Sequence, residues 1–293
     1  MHPDRRRLAR RGGLGTLVDE LTRAGAEAVA VPTDITSPSA VAELVSTAEQ
    51  RLGRIDTWVN VPGVSVYGTV PEITLDEFRR VMEVNFLGHV SATQAALPAL
   101  ERSGGVLVSV VSVEGYRSMP MHAPYSASKF ALRGFNDALR AELAEQSSPV
   151  SIVSILPAAI GTPFFEHARS KNGRMPKAPP PVYAPELVAE AIVRASVHPR
   201  REVPVGDAAV GFLAGQRISP ALSDAVLSVV APRLQFSDRP DDGTDNLDTP
   251  TPGPGRVRGT FADQLVTTSP VTRAAGAVVR PGELLLRVIR RRG

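Results

Sequence analysis

The sequence predicts an α/β fold, a doubly wound parallel sheet with helices on both faces and a C-terminal extension. Three observations lead there. Short apolar runs alternate with segments of helical period through the first two thirds of the chain, the pattern of consecutive βαβ units. Hydrophobic residues make up 43% of the 293, enough for a sizeable core, with aromatics only 5%. The last third then changes character, turning polar and proline-rich.

Taken in order, residues 14–24 read as a helix after a glycine-bearing loop, and residues 28–31 as a short strand closed by Pro32. A helix follows over 36–52 with Thr36 or Ser37 as its N-cap. Residues 55–59 are the next buried strand. The spacing then predicts a helix from about 74 to 100, with Asp76 and Glu77 in its first turn, and a strand at 106–111. Residues 123–145 read as helix and 150–156 as strand. From Thr162, Pro163, Phe164 and Phe165 the chain becomes irregular as far as Pro179-Pro180-Pro181, and one helix follows at 185–196. Residues 236–259 have the composition of an extended linker, and 284–292 alternate apolar and basic side chains as in a frayed terminal helix. The domain reading is therefore a catalytic domain at 1–200, a helical extension at 201–235, and a linker and tail at 236–293.

Composition excludes several classes. There is no cysteine, hence no disulfide, thiolate nucleophile or Cys-based metal site. No apolar run reaches 18 residues, and the basic first eleven residues lack the apolar segment of a signal peptide. The net charge of +3 is modest, and the arginines cluster at the two ends (Arg5-Arg6-Arg7, Arg10-Arg11 and Arg290-Arg291-Arg292) as solvated charge, without a nucleic-acid-binding motif. A cytoplasmic protein with no nucleic-acid partner and no transmembrane segment is expected.

The chemistry lies in four residues. Tyr125 and Lys129 stand four apart at the start of a helix, on one face. A phenol has a pKa of roughly 10, and an ammonium beside it favours the phenolate. A drop of about three pH units needs roughly 4 kcal/mol of preferential stabilisation. Ser112 follows the apolar strand at 106–111 directly, so it faces the crevice that forms at strand C-termini. Its hydroxyl suits a carbonyl oxygen on which negative charge develops. Asn85 sits mid-helix, where an amide is a weak helix former; alone it reads as a surface residue.

In order and spacing, Asn85, Ser112, Tyr125 and Lys129 resemble the catalytic tetrad of the short-chain dehydrogenase/reductase family, over about residues 8–200. The stretch from Asp56 to Gly63 resembles the family's Asn-Asn-Ala-Gly strand end, and Leu156 to Pro163 resembles the Pro-Gly segment leading to a nicotinamide-contacting threonine. The resemblance implies a Rossmann-like sheet and an NAD(P)-dependent oxidoreductase that moves a hydride between nicotinamide and a ketone or secondary alcohol. It implies Tyr125 as general acid/base and Lys129 on the nicotinamide ribose, depressing the tyrosine pKa. Ser112 would orient the carbonyl, and Asn85 would anchor a water. Asp34 and Asn60 would line the adenine side, with Gly63 beside the cofactor and Thr162 on the carboxamide. A homodimer or tetramer is implied as well.

The chain departs from the family at its start. The Thr-Gly-x-x-x-Gly-x-Gly turn that binds the pyrophosphate, with the first strand, has no counterpart; Gly12, Gly13 and Gly15 follow a basic segment rather than a buried strand. Two readings stand: Met1 is a misplaced start of an ordinary enzyme, or the chain is a non-catalytic subunit that dimerises with a complete relative. Arg10 and Arg11 fall where the adenosine ribose ends, with no carboxylate in register, which favours NADP over NAD. Val61-Pro62 replaces Asn-Ala, and Ala158 replaces a glycine. The apolar start of the segment after Thr162 suits a hydrophobic carbonyl or alcohol.

Overall fold

Four apolar segments meet in one parallel sheet, seen in a computed structural model that describes residues 13–251, 255–260 and 264–275. Helix α1 (Gly13–Arg23) opens the described chain, and Gly13 and Gly15 lie inside it rather than in a preceding loop. Residues 28–31, expected as a strand, form none: no described segment pairs with them, and an apolar run becomes a strand only when its amides find a partner. Helix α2 (Pro38–Leu52) starts at Ser37, whose hydroxyl accepts from the Ala40 N–H at 3.4 Å. Pro38 occupies the first turn, where a missing amide costs nothing.

Strands β1 (Thr57–Asn60) and β2 (Val66–Tyr67) come next. Helix α3 (Leu75–Met82) has a capping box: the Glu77 N–H donates to Thr74 Oγ1 at 3.2 Å, and the Thr74 N–H donates back to the Glu77 carboxylate at 2.9 Å. The rod does not stop at Met82. A π-helical turn over Glu83–Leu87 carries it into α4 (Gly88–Ser103), so the helix expected at 74–100 exists with an interruption centred on Asn85. The remaining elements are β3 (Val106–Val110), a 3-10 turn (Val113–Gly115), α5 (Ala123–Glu145), β4 (Ser151–Pro157), β5 (Arg169–Ser170), β6 (Arg174–Pro176), β7 (Val182–Tyr183) and α6 (Pro185–Val197). Beyond them lie β8 (Glu202–Val205), α7 (Asp207–Ile218), α8 (Pro220–Leu234), β9 (Phe236–Pro240), β10 (Leu265–Val266) and α9 (Pro270–Ala275).

The main sheet runs β1-β3-β4-β8, all parallel, with Val108 opposite Val59 and Val153. Both faces are covered, which is why its strands are near-continuous hydrophobic runs. Leu107 and Ile152 point to one side, against Ala96 and Leu100 of α4 and Leu139 and Leu143 of α5. Val106, Val108, Val153 and Ile155 point to the other, against Leu187, Ala191 and Ala195 of α6. Strand β8 lies past residue 200, so the sheet extends beyond the point where the sequence pattern changes.

The segment with linker composition is in part laid on this body. Strand β9 pairs antiparallel with β6, and Leu247 is buried beside Val81 of α3, its carbonyl accepting from Arg80 Nε at 3.0 Å. Farther on, β10 pairs parallel with β7, and Leu265 packs so closely on Gly161 that an added Cβ there would stand 2.3 Å from its methyl. Residues 284–292 lie outside the described residues. No described helix is long and apolar enough to cross a membrane.

Candidate active site

Strand β3 ends at Val110, and two residues later the chain turns into the 3-10 turn with Ser112 as its cap, accepting from the Glu114 N–H at 3.1 Å. The first turns of α5 face this point and carry Tyr125 and Lys129. A cavity of about 640 Å³ opens here, lined by Ser112, Tyr125, Lys129, Gly63 and Thr162 among others. Three of the four expected tetrad residues thus share one cavity, and two further expected cofactor contacts, Gly63 and Thr162, line it too.

Asn85 stands behind the cavity wall, fully buried. Its Oδ1 accepts from the Val64 N–H at 2.8 Å, and its Nδ2 donates to the Val64 carbonyl at 2.9 Å and to Ser128 Oγ at 3.1 Å. The side chain therefore clamps both main-chain groups of Val64, next to Gly63, and is no surface amide. Proline at 62 removes a donor, but its carbonyl is used: the buried His89 lies with Nε2 2.8 Å from it. Burial holds His89 down at about 3, so it is a neutral imidazole.

The two ionisable groups of the tetrad are both perturbed by burial. Lys129 is 2% exposed, and its Nζ donates to the Val110 carbonyl at 3.0 Å. Desolvation brings the ammonium down to about 8, with the Glu114 carboxylate acting the other way. Nζ lies 5.4 Å from the Tyr125 ring centroid. Burial pushes the Tyr125 phenol well above its ordinary value, Glu114 pushes it further, and a hydrogen bond with Ser112 opposes both. The tyrosine is held as a neutral phenol.

Asp34 and Asn60, expected on the adenine side, do not line this cavity. The Asp34 carboxylate accepts from the Thr36 N–H at 3.0 Å and from its hydroxyl at 2.7 Å, building the turn before α2. Asn60 is buried with its amide between Trp58 Nε1 (2.8 Å) and Thr93 Oγ1 (3.2 Å). Arg10 and Arg11 lie outside the described residues.

Sequence reading missed two polar residues of the lining, Glu114 and His122, and the far wall contributed by Phe212 of α7 and Leu227 and Val230 of α8. The only signal for the first two was their nearness to Ser112 and Tyr125, two and three residues away.

The cavity fits a nicotinamide. Gly63 lines it, and a Cβ there would come into ordinary contact with Asn85 Oδ1 at 3.8 Å and Lys129 Nζ at 3.9 Å, so the glycine keeps the cavity edge beside the lysine low. Lys129 would hold the ribose hydroxyls and Thr162 the carboxamide.

Comparison with known proteins agrees with this fold. The sequence pattern of the family described as short chain dehydrogenase matches residues 8–173. The chain is 35% identical to an uncharacterized oxidoreductase, YxnA, of Bacillus subtilis (strain 168) over 230 residues, 78% of this chain and 65% of that one. It spans less than two thirds of the length of YxnA and of the dehydrogenase/reductase SDR family member 7B of Mus musculus and of Bos taurus. A short-chain dehydrogenase from Streptomyces avermitilis superposes with a TM-score of 0.62 at 25% identity, over 77% of this chain and 86% of that one. An alcohol dehydrogenase from the archaeon Thermococcus sibiricus, solved with 5-hydroxy-NADP, shares the fold with a TM-score of 0.56 at 24% identity, over 66% and 80%.

Proposed function

We propose that this chain, which belongs to the short-chain dehydrogenase family, reduces a ketone or oxidises a secondary alcohol with Tyr125 as the proton-transferring residue. The observation that carries this reading is the convergence of Ser112, Tyr125 and Lys129 on one cavity. When bound, a nicotinamide dinucleotide supplies or accepts the hydride. The protein's own part is positioning and proton transfer. In the reductive direction the neutral Tyr125 hydroxyl gives its proton to the carbonyl oxygen, while the Ser112 hydroxyl donates a hydrogen bond to the same oxygen. Lys129 holds a positive charge near the phenol, which stabilises the phenolate left behind. Asn85 keeps Gly63 and Val64 in place at the cavity edge.

The substrate end of the cavity is walled by Phe164, Phe212, Leu227 and Val230, so the reading extends to an uncharged carbonyl or alcohol with an apolar body. NADP is the proposed cofactor, on the strength of Arg10 and Arg11. The test is Tyr125→Phe, assayed with NADPH and a panel of apolar ketones. General acid catalysis contributes roughly 10²–10⁴-fold, so kcat should fall by at least a hundredfold while NADPH binding, followed by its fluorescence, stays within twofold. Retention of most of kcat refutes the assignment.

A further inference from the structure

Behind Tyr125 lies a buried polar chain with no part in the proton transfer just described. The His122 imidazole is 1% exposed and is sandwiched between two rings: Tyr67 at 4.1 Å and 18°, and Tyr125 at 4.6 Å and 12°. Both edges of the imidazole are fastened. Nδ1 lies 3.0 and 3.1 Å from the two Glu114 carboxylate oxygens, and Nε2 is in a short contact with Ser65 Oγ. Glu114 is itself fixed by Ser126, whose hydroxyl donates to it at 2.6 Å.

The order Ser65, His122, Glu114 is that of a nucleophilic triad, and burial decides against that use. Ser65 is 1% exposed and does not line the cavity, so no substrate carbon reaches its oxygen. What does reach the cavity is the Tyr125 ring, whose one face rests on the imidazole. A ring fastened at both edges cannot rotate, so its face defines the plane in which the phenol lies. Phe164 tilts over Tyr125 at 5.3 Å.

We propose that the Ser65–His122–Glu114 chain is a positioning device for Tyr125, fixing the imidazole plane on which the phenol stacks and placing one carboxylate charge beside it. The proposal rests on Tyr125 being the proton-transferring residue. The ionisable groups facing this carboxylate are His122 from the loop before α5, Tyr125 and Lys129 from α5, and Tyr67 from β2; the Ser126 hydroxyl bonds it as well. Burial raises both tyrosines and the Glu114 charge raises them further, while it supports the Lys129 ammonium against burial. A site so biased keeps a proton on the phenol and a charge on the lysine, the state that protonates a carbonyl.

Two substitutions separate the two roles. Glu114→Gln keeps the shape and removes the charge; His122→Phe keeps the stacked ring and removes both edge bonds. The full chain is labelled with 13C at tyrosine Cζ, the Tyr125 resonance is assigned through Tyr125→Phe, and its titration is followed without cofactor. In Glu114→Gln the phenolate should appear at least about one pH unit lower than in the parent, the size expected for removing one nearby like charge. In His122→Phe, kcat for carbonyl reduction should fall at least tenfold with KM for NADPH within twofold, because a reacting group held loosely loses turnover rather than affinity. Ser65→Ala should show a smaller loss of the same kind, and serves if His122→Phe fails to fold. An unchanged Tyr125 titration in Glu114→Gln, or a kcat within twofold of the parent in the ring-edge variants, overturns the proposal. A parent without NADPH-dependent turnover, but with the titration displaced in Glu114→Gln, would count against the oxidoreductase reading and not against the charge placement.

Discussion

Replacing Lys129 with methionine should abolish turnover and make the cofactor-free protein more stable. Methionine matches the lysine in length, so the packing of a side chain that is 2% exposed is largely kept. The ammonium is held down to about 8 against 10.5 for a free lysine, chiefly by desolvation. At 1.36 kcal/mol per pH unit this is about 3 kcal/mol of folding free energy lost at neutral pH. The bond from Nζ to the Val110 carbonyl, worth roughly 1 kcal/mol, disappears with the lysine and leaves a net gain of about 2 kcal/mol. The sign with pH follows from the direction of the perturbation. Below pH 8 the lysine is charged in both folded and unfolded chains, and the folded chain bears the full desolvation cost. Above pH 10.5 it is neutral in both, and the cost is gone. Lys129→Met should therefore raise Tm by roughly 4–8 °C at pH 7, and the gain should fall to zero at about pH 10 and give way to a small loss above it. Urea unfolding at pH 7 and at pH 10 measures both quantities. A variant no more stable than the parent at pH 7, or a gain that is the same at both pH values, refutes the reasoning.

Two further outcomes follow from buried contacts. Asn85→Ala strands the N–H and the C=O of Val64, each at about 1–3 kcal/mol if left unpaired, so urea unfolding should show a loss of at least about 2 kcal/mol. Arg169 ties Asp245 (2.8 Å), Asp248 (2.8 Å) and Glu77 (3.3 Å) together, so Arg169→Ala should release residues 241–251 from the body, read as faster limited proteolysis there with the main sheet intact.

Much of the fold was legible because its strands and helices are long enough to show their period. Val106 to Val110 and Ser151 to Pro157 are buried on both faces and read as apolar runs; α5 was found at its observed limits. The segments that escaped are those whose structure depends on a distant partner. Strand β8 is only four residues and contains Pro204 between Val203 and Val205, and β9 is mostly polar because one side of it faces water. The converse error, at residues 28–31, has the same cause: apolar residues propose a strand, but only a neighbour makes one. In the site, Ser112, Tyr125 and Lys129 share short intervals on the chain and could be read together. His122 and Ser65 are 57 positions apart and meet only because β2 and the loop before α5 pack side by side, which no local spacing reports.

The π turn at Glu83–Leu87 has a consequence for what lengths of chain this rod accepts. Each residue advances a regular helix by about 100° and a π turn by less, so winding these five residues as a regular helix with none removed would swing everything after them by about a quarter-turn. His89 would leave the Pro62 carbonyl, Thr93 would leave Asn60, and Ala96 would turn away from the sheet. The irregular turn is thus a phase-setting joint: it lets one face of α3 meet Leu247 and Val66 while a differently oriented face of α4 meets the strands. Loss of one residue within this turn, taken up by its closing to a regular helix, should leave α4 in phase, whereas the same loss inside α4 should turn its later residues off the sheet, although the hydrophobic count would be the same in either place.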